Sequence, residues 1–171
     1  PIQYYWVGSA WYGMFVIFVP VYMFLILPAA MVLRGETQGF LKAAGTLHWG
    51  LMITVFAVSH AAYLLAVPPP DAPPGMGAGL LVFLLIATEF NDVAQFVSGK
   101  LIGRRKITPK VSPNKTVGGF LGGLVATILL SAALAPVLTP IGAWQAAIIG
   151  ALLATAGFFG DIVMSAVKRD L

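Results

Sequence analysis

The chain has 171 residues, of which 59% are hydrophobic and 9% charged, and its formal charge is +4. Soluble domains carry about 25% charged residues, so this composition excludes a soluble globular fold and indicates an integral membrane protein. The lack of cysteine excludes a disulfide framework, a thiolate metal site and a cysteine nucleophile.

Five apolar runs reach the roughly 20 helical residues needed to cross a hydrocarbon core of about 30 Å. They lie at about 11–33, 46–67, 78–99, 117–138 and 143–166, which predicts an all-α polytopic transmembrane bundle forming one membrane-embedded domain over 1–171. Ahead of the first run, Pro1 to Ala10 has neither a basic n-region nor an initiating Met, so the chain is expected to be an excerpt of a longer protein. The first run contains Pro20 and Pro28, each of which removes a backbone donor and predicts a kink. Tyr4, Tyr5, Trp6 and Trp11 suit the membrane interface. The second run carries both histidines, but His48 and His60 are too far apart for the i, i+4 pair of a helical zinc site. His48 is expected at the interface and His60 in an inter-helix hydrogen bond. The link that follows, 68–77, is rich in Pro and Gly and reads as an extended turn.

The third run acquires polar groups near its end: Glu89, Asn91, Asp92 and Gln95. A loop then carries Lys100, Arg104, Arg105, Lys106, Lys110 and Lys115, six of the ten Lys and Arg residues. The fourth run opens with Gly118, Gly119, Gly122 and Gly123, two overlapping GxxxG pairs that predict close helix packing. The fifth run holds Asp161, Ser165 and Lys168 at i, i+4, i+7, on one helix face, and is followed by Arg169. At 1.5 Å per residue, Asp92 is expected about 10 Å and Asp161 about 8 Å from the ends of their helices.

With five spans, the links at 34–45 and 98–116 and the C-terminal end share one side, and they hold all ten basic residues. This asymmetry places that side in the cytoplasm. The sequon Asn114-Lys115-Thr116 would therefore go unmodified. A charge inside a span costs roughly 2.5 to 3.5 kcal/mol at the helix centre on insertion scales, so Glu89, Asp92 and Asp161 each need a partner or a purpose. Ser112 or Thr116 is expected to cap the fourth helix, with Pro113 in its first turn and backbone N–H groups left to bind phosphate. Carboxylates, lysines and a helix start at one membrane face point to divalent-metal phosphoryl or nucleotidyl chemistry on a lipid. Structural ion pairs that orient the helices are the alternative reading of the acids.

At these residues the sequence resembles the phosphatidate cytidylyltransferases, or CDP-diacylglycerol synthases. The resemblance runs through Asn91-Asp92, the segment from Gly99 to Gly103, PKVSPNKT from Pro109 to Thr116 and GGFLGG from Gly118 to Gly123. It resumes at Gly160-Asp161 and at Ser165 to Arg169, which is similar to the S-x-x-K-R opening of the family's C-terminal signature. Two features depart from the family pattern. Val117-Gly118 stand where a Trp-Glu is usual, and the His-Gly-Gly and Asp-Arg-x-Asp that should follow Arg169 lie outside these residues, so the excerpt alone is expected to be inactive.

The resemblance implies transfer of a cytidylyl group from CTP to phosphatidic acid, in phospholipid biosynthesis. It implies Mg²⁺ on Asp161, with Asp92 as a second metal or nucleotide contact. Lys110, Lys115 and Lys168 would bind phosphates with Arg169 beside them, Ser112, Thr116 and Ser165 would supply hydroxyls, and Asn91 with Gln95 would touch the nucleotide. Membrane lipids are the expected surroundings and nucleic acid is not an expected partner. A homodimer through the Gly-rich helices is an alternative to packing within one chain. A CTP-dependent lipid kinase of the polyprenol or dolichol type is similar in its membrane fold and is the second enzyme reading. A transporter or structural subunit, with the acids as an ion relay, is the non-enzymatic one.

Overall fold

The computed structural model describes residues 2–9, 11–68 and 70–170; Pro69, in the link read as an extended turn, and the terminal Pro1 and Leu171 lie outside them, as does Ala10. Among the described residues five helices are long and apolar enough to cross a membrane: α2 (Tyr12–Leu33), α3 (Phe40–Tyr63), α4 (Met76–Ile102), α5 (Val117–Leu138) and α6 (Ala143–Asp170), after a short α1 (Ile2–Gly8). The expected polytopic helical bundle is therefore present, and its side chains suit a lipid surround. Leu33, Leu41, Leu101 and Val137 are all exposed large apolar groups that water would not solvate well. The chain falls into two compact units, Pro1–Gly77 and Ala78–Leu171.

In the first unit, α2 widens into a π-helical stretch at Phe18–Met23. Pro20 lies inside it, and having no N–H for the carbonyl four residues back, it favours such a local change of ladder. In α3 a second wide stretch covers Met52–Ala57, where the Thr54 hydroxyl donates to the Gly50 carbonyl at 2.7 Å and competes with the backbone ladder. Rings hold the unit together. Phe15 is fully buried, with the His60 ring 4.5 Å and the Tyr63 ring 4.8 Å from its own. Gln3 is buried at the foot of this cluster and donates to the Phe15 carbonyl at 2.6 Å.

His60 departs from expectation. Its Nδ1 meets the Phe56 carbonyl, one turn back on its own helix, at 2.7 Å, so its polar bond is intra-helical and only its ring faces α2. The second span also begins six residues earlier than the apolar run, at Phe40 after Gly39 in the left-handed region (φ 66°). Lys42 there is exposed, and its long stem lets the helix continue outward while the ammonium reaches water.

The second unit is built on small residues. Along α5, Gly119, Gly123, Thr127, Ser131 and Ala135 recur every fourth position and are all buried. Along α6 the matching stripe is Ala146, Gly150, Ala154 and Phe158. A side chain on Gly150 would press on Ser131, with its Cβ 3.0 Å from the Thr127 carbonyl. A Cβ on Gly119 would stand 2.8 Å from the Gln95 carbonyl, and one on Gly123 would collide with the Gln95 side chain. The GxxxG pairs thus let α4 and α5 meet backbone to backbone, the packing role expected of them. At the opposite end, Phe83, Ala87, Ala135 and Ala146 form an apolar cluster sealed by Leu134, Leu138 and Ile149.

The segment between α4 and α5 is not the loop of the sequence reading, although the expected cap at Thr116 is present. Strands β1 (Lys106–Thr108) and β2 (Ser112–Thr116) form an antiparallel hairpin, with Lys106 opposite Thr116 and Thr108 opposite Ser112. Ser112 and Pro113 are strand residues, so Ser112 does not cap the helix and Pro113 is not in its first turn. In a two-stranded ribbon each strand is an edge, which tolerates proline, and the residue before a proline prefers extended backbone. The helix begins after Thr116, whose hydroxyl oxygen accepts the Gly119 N–H at 3.1 Å.

Candidate functional site

Helices α4 and α6 both run further than their apolar stretches, to Ile102 and Asp170. At 1.5 Å per residue this puts Asp92 about 15 Å and Asp161 about 14 Å from the ends of their helices, farther than the sequence reading had them. The extension costs little because the added turns carry Lys100, Lys168 and Arg169, all exposed, whose heads can reach water.

Lys115 is where the polar groups meet. The final residues of β2 point it back along the bundle, where its Nζ forms an ion pair with Asp161 Oδ2. It also donates to Gln95 Oε1 at 3.4 Å and stands 5.7 Å from the centre of the Phe158 ring. Its side chain is 21% exposed against 41% for Asp161. The Asp161 carboxylate supplies a counter-charge to this partly withdrawn cation. The pair ties β2 to α6 across 46 residues of sequence.

Lys115 also lines a cavity of about 90 Å³, together with Asp92, Gln95, Asn114, Thr116 and three phenylalanines, Phe96, Phe120 and Phe158; Asp161 reaches it through its pairing with Lys115. The Phe120 and Phe158 rings lie 4.6 Å apart and give it an apolar wall. Asp92 is exposed and within electrostatic reach of Asp161, Lys115 and Glu89. Gln95 is 5% exposed: its oxygen faces Lys115 and its Nε2 has no partner among the described residues.

Asp92, Lys115, Thr116 and Asp161 are therefore brought together. Asn91 is 1% exposed and accepts the Thr127 hydroxyl at 3.2 Å, an interhelical strut between α4 and α5. Ser165 donates to the Asp161 carbonyl at 2.7 Å, which secures the turn of α6 that carries the acid. Of the remaining expected site residues, Lys110 stands exposed in the hairpin turn, Ser112 is buried at the far end of β2, and Lys168 and Arg169 are exposed in the last turn of α6; none of these four lines the cavity. The backbone at the start of α5 is also largely committed, since Val117 N–H donates to the Arg105 carbonyl at 2.9 Å and Gly119 N–H to Thr116.

Phe96, Asn114, Phe120 and Phe158 were not among the site residues expected from the sequence. The signal for the aromatic wall was available in part, because Phe158 stands three residues before Asp161 and so one turn along the same face. For a cation, the donor set offers two hard carboxylates, Asp92 and Asp161. Among the described residues there is no group of three or more His, Cys, Asp or Glu that would cage a metal without help. Mg²⁺ commonly takes one or two carboxylates and completes its shell with phosphate oxygens and water, so these two residues fit it.

The cytidylyltransferase family model matches residues 1–171. An Escherichia coli K12 protein named uncharacterized protein YnbB is 45% identical over 171 residues, covering 100% of this chain and 57% of that protein. A Chlamydia trachomatis phosphatidate cytidylyltransferase is 38% identical over 103 residues, 57% of this chain and 34% of the relative. One from Mycobacterium leprae is 36% identical over 129 residues, 75% of this chain and 39% of the relative. The chain thus spans between about one third and three fifths of the length of these relatives. No solved structure matches it.

Proposed function

Since the chain belongs to the cytidylyltransferase family, we propose that the protein it forms part of transfers a cytidylyl group from CTP to phosphatidic acid, an integral membrane step of phospholipid biosynthesis. The observation that carries this reading is the half-buried Lys115, which lines one cavity with Asp92 and is paired with Asp161. Relatives named phosphatidate cytidylyltransferase, aligned over 103 and 129 residues, support the choice of acceptor.

A phosphate monoester has a second pKa of about 6, so the acceptor is largely ionised at neutral pH and needs little help from a base. One of its oxygens bonds to the α-phosphorus of CTP. The bond from that phosphorus to the oxygen bridging to the β-phosphorus breaks, and pyrophosphate leaves with the electron pair. The difficulty is bringing two anions together. Lys115 meets it by turning from the Asp161 carboxylate toward phosphoryl oxygens, where its charge stabilises negative charge that builds up in the transition state. Asp92 and Asp161 would hold Mg²⁺, which when bound neutralises charge on phosphoryl oxygens. The Thr116 oxygen is engaged by Gly119, so its hydroxyl proton can serve a phosphate oxygen. Lys110, Lys168 and Arg169 would attract both anionic substrates to this face, which the charge asymmetry assigns to the cytoplasm.

The test uses the full-length protein reconstituted with phosphatidic acid and CTP labelled at the α-phosphate. Label in the lipid fraction is the expected result. Label remaining in CDP, with phosphate passed to the lipid, would replace this reading by a CTP-dependent lipid kinase, and unconsumed CTP would overturn both.

A further inference from the structure

Beside the cavity around Lys115 lies a larger one, of about 320 Å³. The two share a wall, since Phe96, Asn114 and Thr116 line both. The larger cavity takes its charge from Lys100 and Lys106, with no carboxylate in its lining. These two lysines come from different elements, the last turns of α4 and the first residue of β1. The Lys100 Nζ stands 4.3 Å from the centre of the Phe96 ring, one turn back on the same helix, a cation–π contact that restrains where the ammonium can go. Lys106 is set by the hairpin, where it pairs with Thr116. The floor is kept open by Gly99, where even a Cβ would come within 3.3 Å of the Thr116 hydroxyl. Among the described residues Lys115 and Asp161 form the one salt bridge, so Lys100 and Lys106, both exposed on the lining, are not neutralised by a carboxylate there.

Two cations around a space without carboxylates suit an anion held with no metal between, adjacent to the centre where Asp92 and Asp161 stand. The geometry points to a phosphate subsite here: Lys100 and Lys106 hold a second phosphate group next to the one engaged by Lys115. This assignment rests on the proposed reaction for its context, which offers two sources of such a group. One is the phosphomonoester head of the acceptor lipid and the other the pyrophosphoryl half of the nucleotide.

The full-length protein in nanodiscs decides the matter with Lys100→Ala, Lys106→Ala and the double variant. Charge-assisted contacts of this kind are expected to change KM at least about tenfold in the double variant, with a larger effect on KM than on kcat. A raised KM for CTP, with a parallel loss of inhibition by inorganic pyrophosphate, assigns the nucleotide; a raised KM for phosphatidic acid alone assigns the lipid. Lys100→Arg and Lys106→Arg retain charge and should recover most of the affinity, which separates recognition from damage to the hairpin. Unchanged KM for both substrates overturns the subsite, as does an Arg variant that melts normally but binds as poorly as Ala. Binding can also be read without turnover. Pyrophosphate or dihexanoyl phosphatidic acid should raise the melting temperature of the wild type more than dihexanoyl phosphatidylcholine does, and the double variant should lose that shift. A wild type that binds but transfers no label would sink the proposed reaction and leave the subsite standing, whereas transfer without any shift would do the reverse.

Discussion

The two halves of this chain are alike in hydropathy and differ in what sits between their helices. Residues up to Gly77 are held by rings: Phe15 beside His60 and Tyr63, Phe24 edge-on to His48 at 5.1 Å, and Trp6 against Trp11 at 5.3 Å. Residues from Ala78 onward are held by Gly, Ala, Ser and Thr at every fourth position of α5 and α6. Rings keep helices apart and fill the space with carbon. Small residues let backbones close, and once backbones are close, short polar side chains such as Asn91 and Thr127 can satisfy one another inside the bundle. The half that packs closely is also the half that can hold a lysine, two aspartates and a buried amide in one place.

The comparison breaks most visibly if the second half loses its acid. In the full-length protein, Asp161→Asn is expected to lower CTP-dependent transfer on the order of 10³-fold, comparable to removing a principal transition-state stabiliser. Insertion and detergent melting should stay near wild type, because Lys115 keeps Gln95 and a partly solvated position. Near wild-type turnover would return Asp161 to a purely structural ion pair. Lys115→Ala is expected to follow at about 10²-fold, with most of the loss appearing in kcat/KM. Unaltered kinetics would make that lysine a general head-group attractor instead.

One substitution made in both halves sharpens the contrast. A helical Gly→Ala change favours the helix by roughly 0.5 to 1 kcal/mol where there is room. A Cβ on Gly45 in the first half would meet nothing within 4 Å, so Gly45→Ala should hold or raise stability. A Cβ on Gly123 would collide with the Gln95 side chain and stand 3.1 Å from its backbone N and Cα, so Gly123→Ala should lose about 1 to 3 kcal/mol by overpacking. Melting in detergent should therefore move in opposite directions, and a common direction would undo the packing argument.

How much of this could be read in the residues follows the same division. The spans were legible because length and apolarity suffice, and α5 begins and ends where its apolar run does. Their outer limits were not, since hydropathy stops at the first charge while a helix ending in Lys168 and Arg169 does not. Pro20 marked the wide turn in α2. The hairpin was misread because Ser112-Pro113 fits a helix start as well as an edge strand. The better signal was Thr108-Pro109-Lys110-Val111, with proline at the second position of a turn closed by Val111 N–H on the Thr108 carbonyl at 3.1 Å. The meeting of Lys115 with Asp161 had no local signature, because residues so far apart are paired by topology rather than spacing. The resemblance named both residues and implied their chemistry, while their pairing and the neighbouring cavity of Lys100 and Lys106 required coordinates.

The smallest effect tests the claim that close packing is what admits polar groups. Thr127→Val keeps the shape of the side chain and removes only the hydroxyl that Asn91 accepts. Hydrogen bonds between membrane helices average about 0.6 kcal/mol and reach about 1.7, so stability measured by unfolding in mixed micelles should fall within that range. Asn91→Leu would leave the Thr127 hydroxyl able to turn to a carbonyl of its own helix, as Thr155 does to Ala151 at 2.7 Å. A double-mutant cycle on the two positions therefore isolates the interhelical term, with coupling expected well below the cost of Gly123→Ala. Coupling equal to or above that cost would mean the polar strut, and not the small-residue stripe, holds α4 to α5.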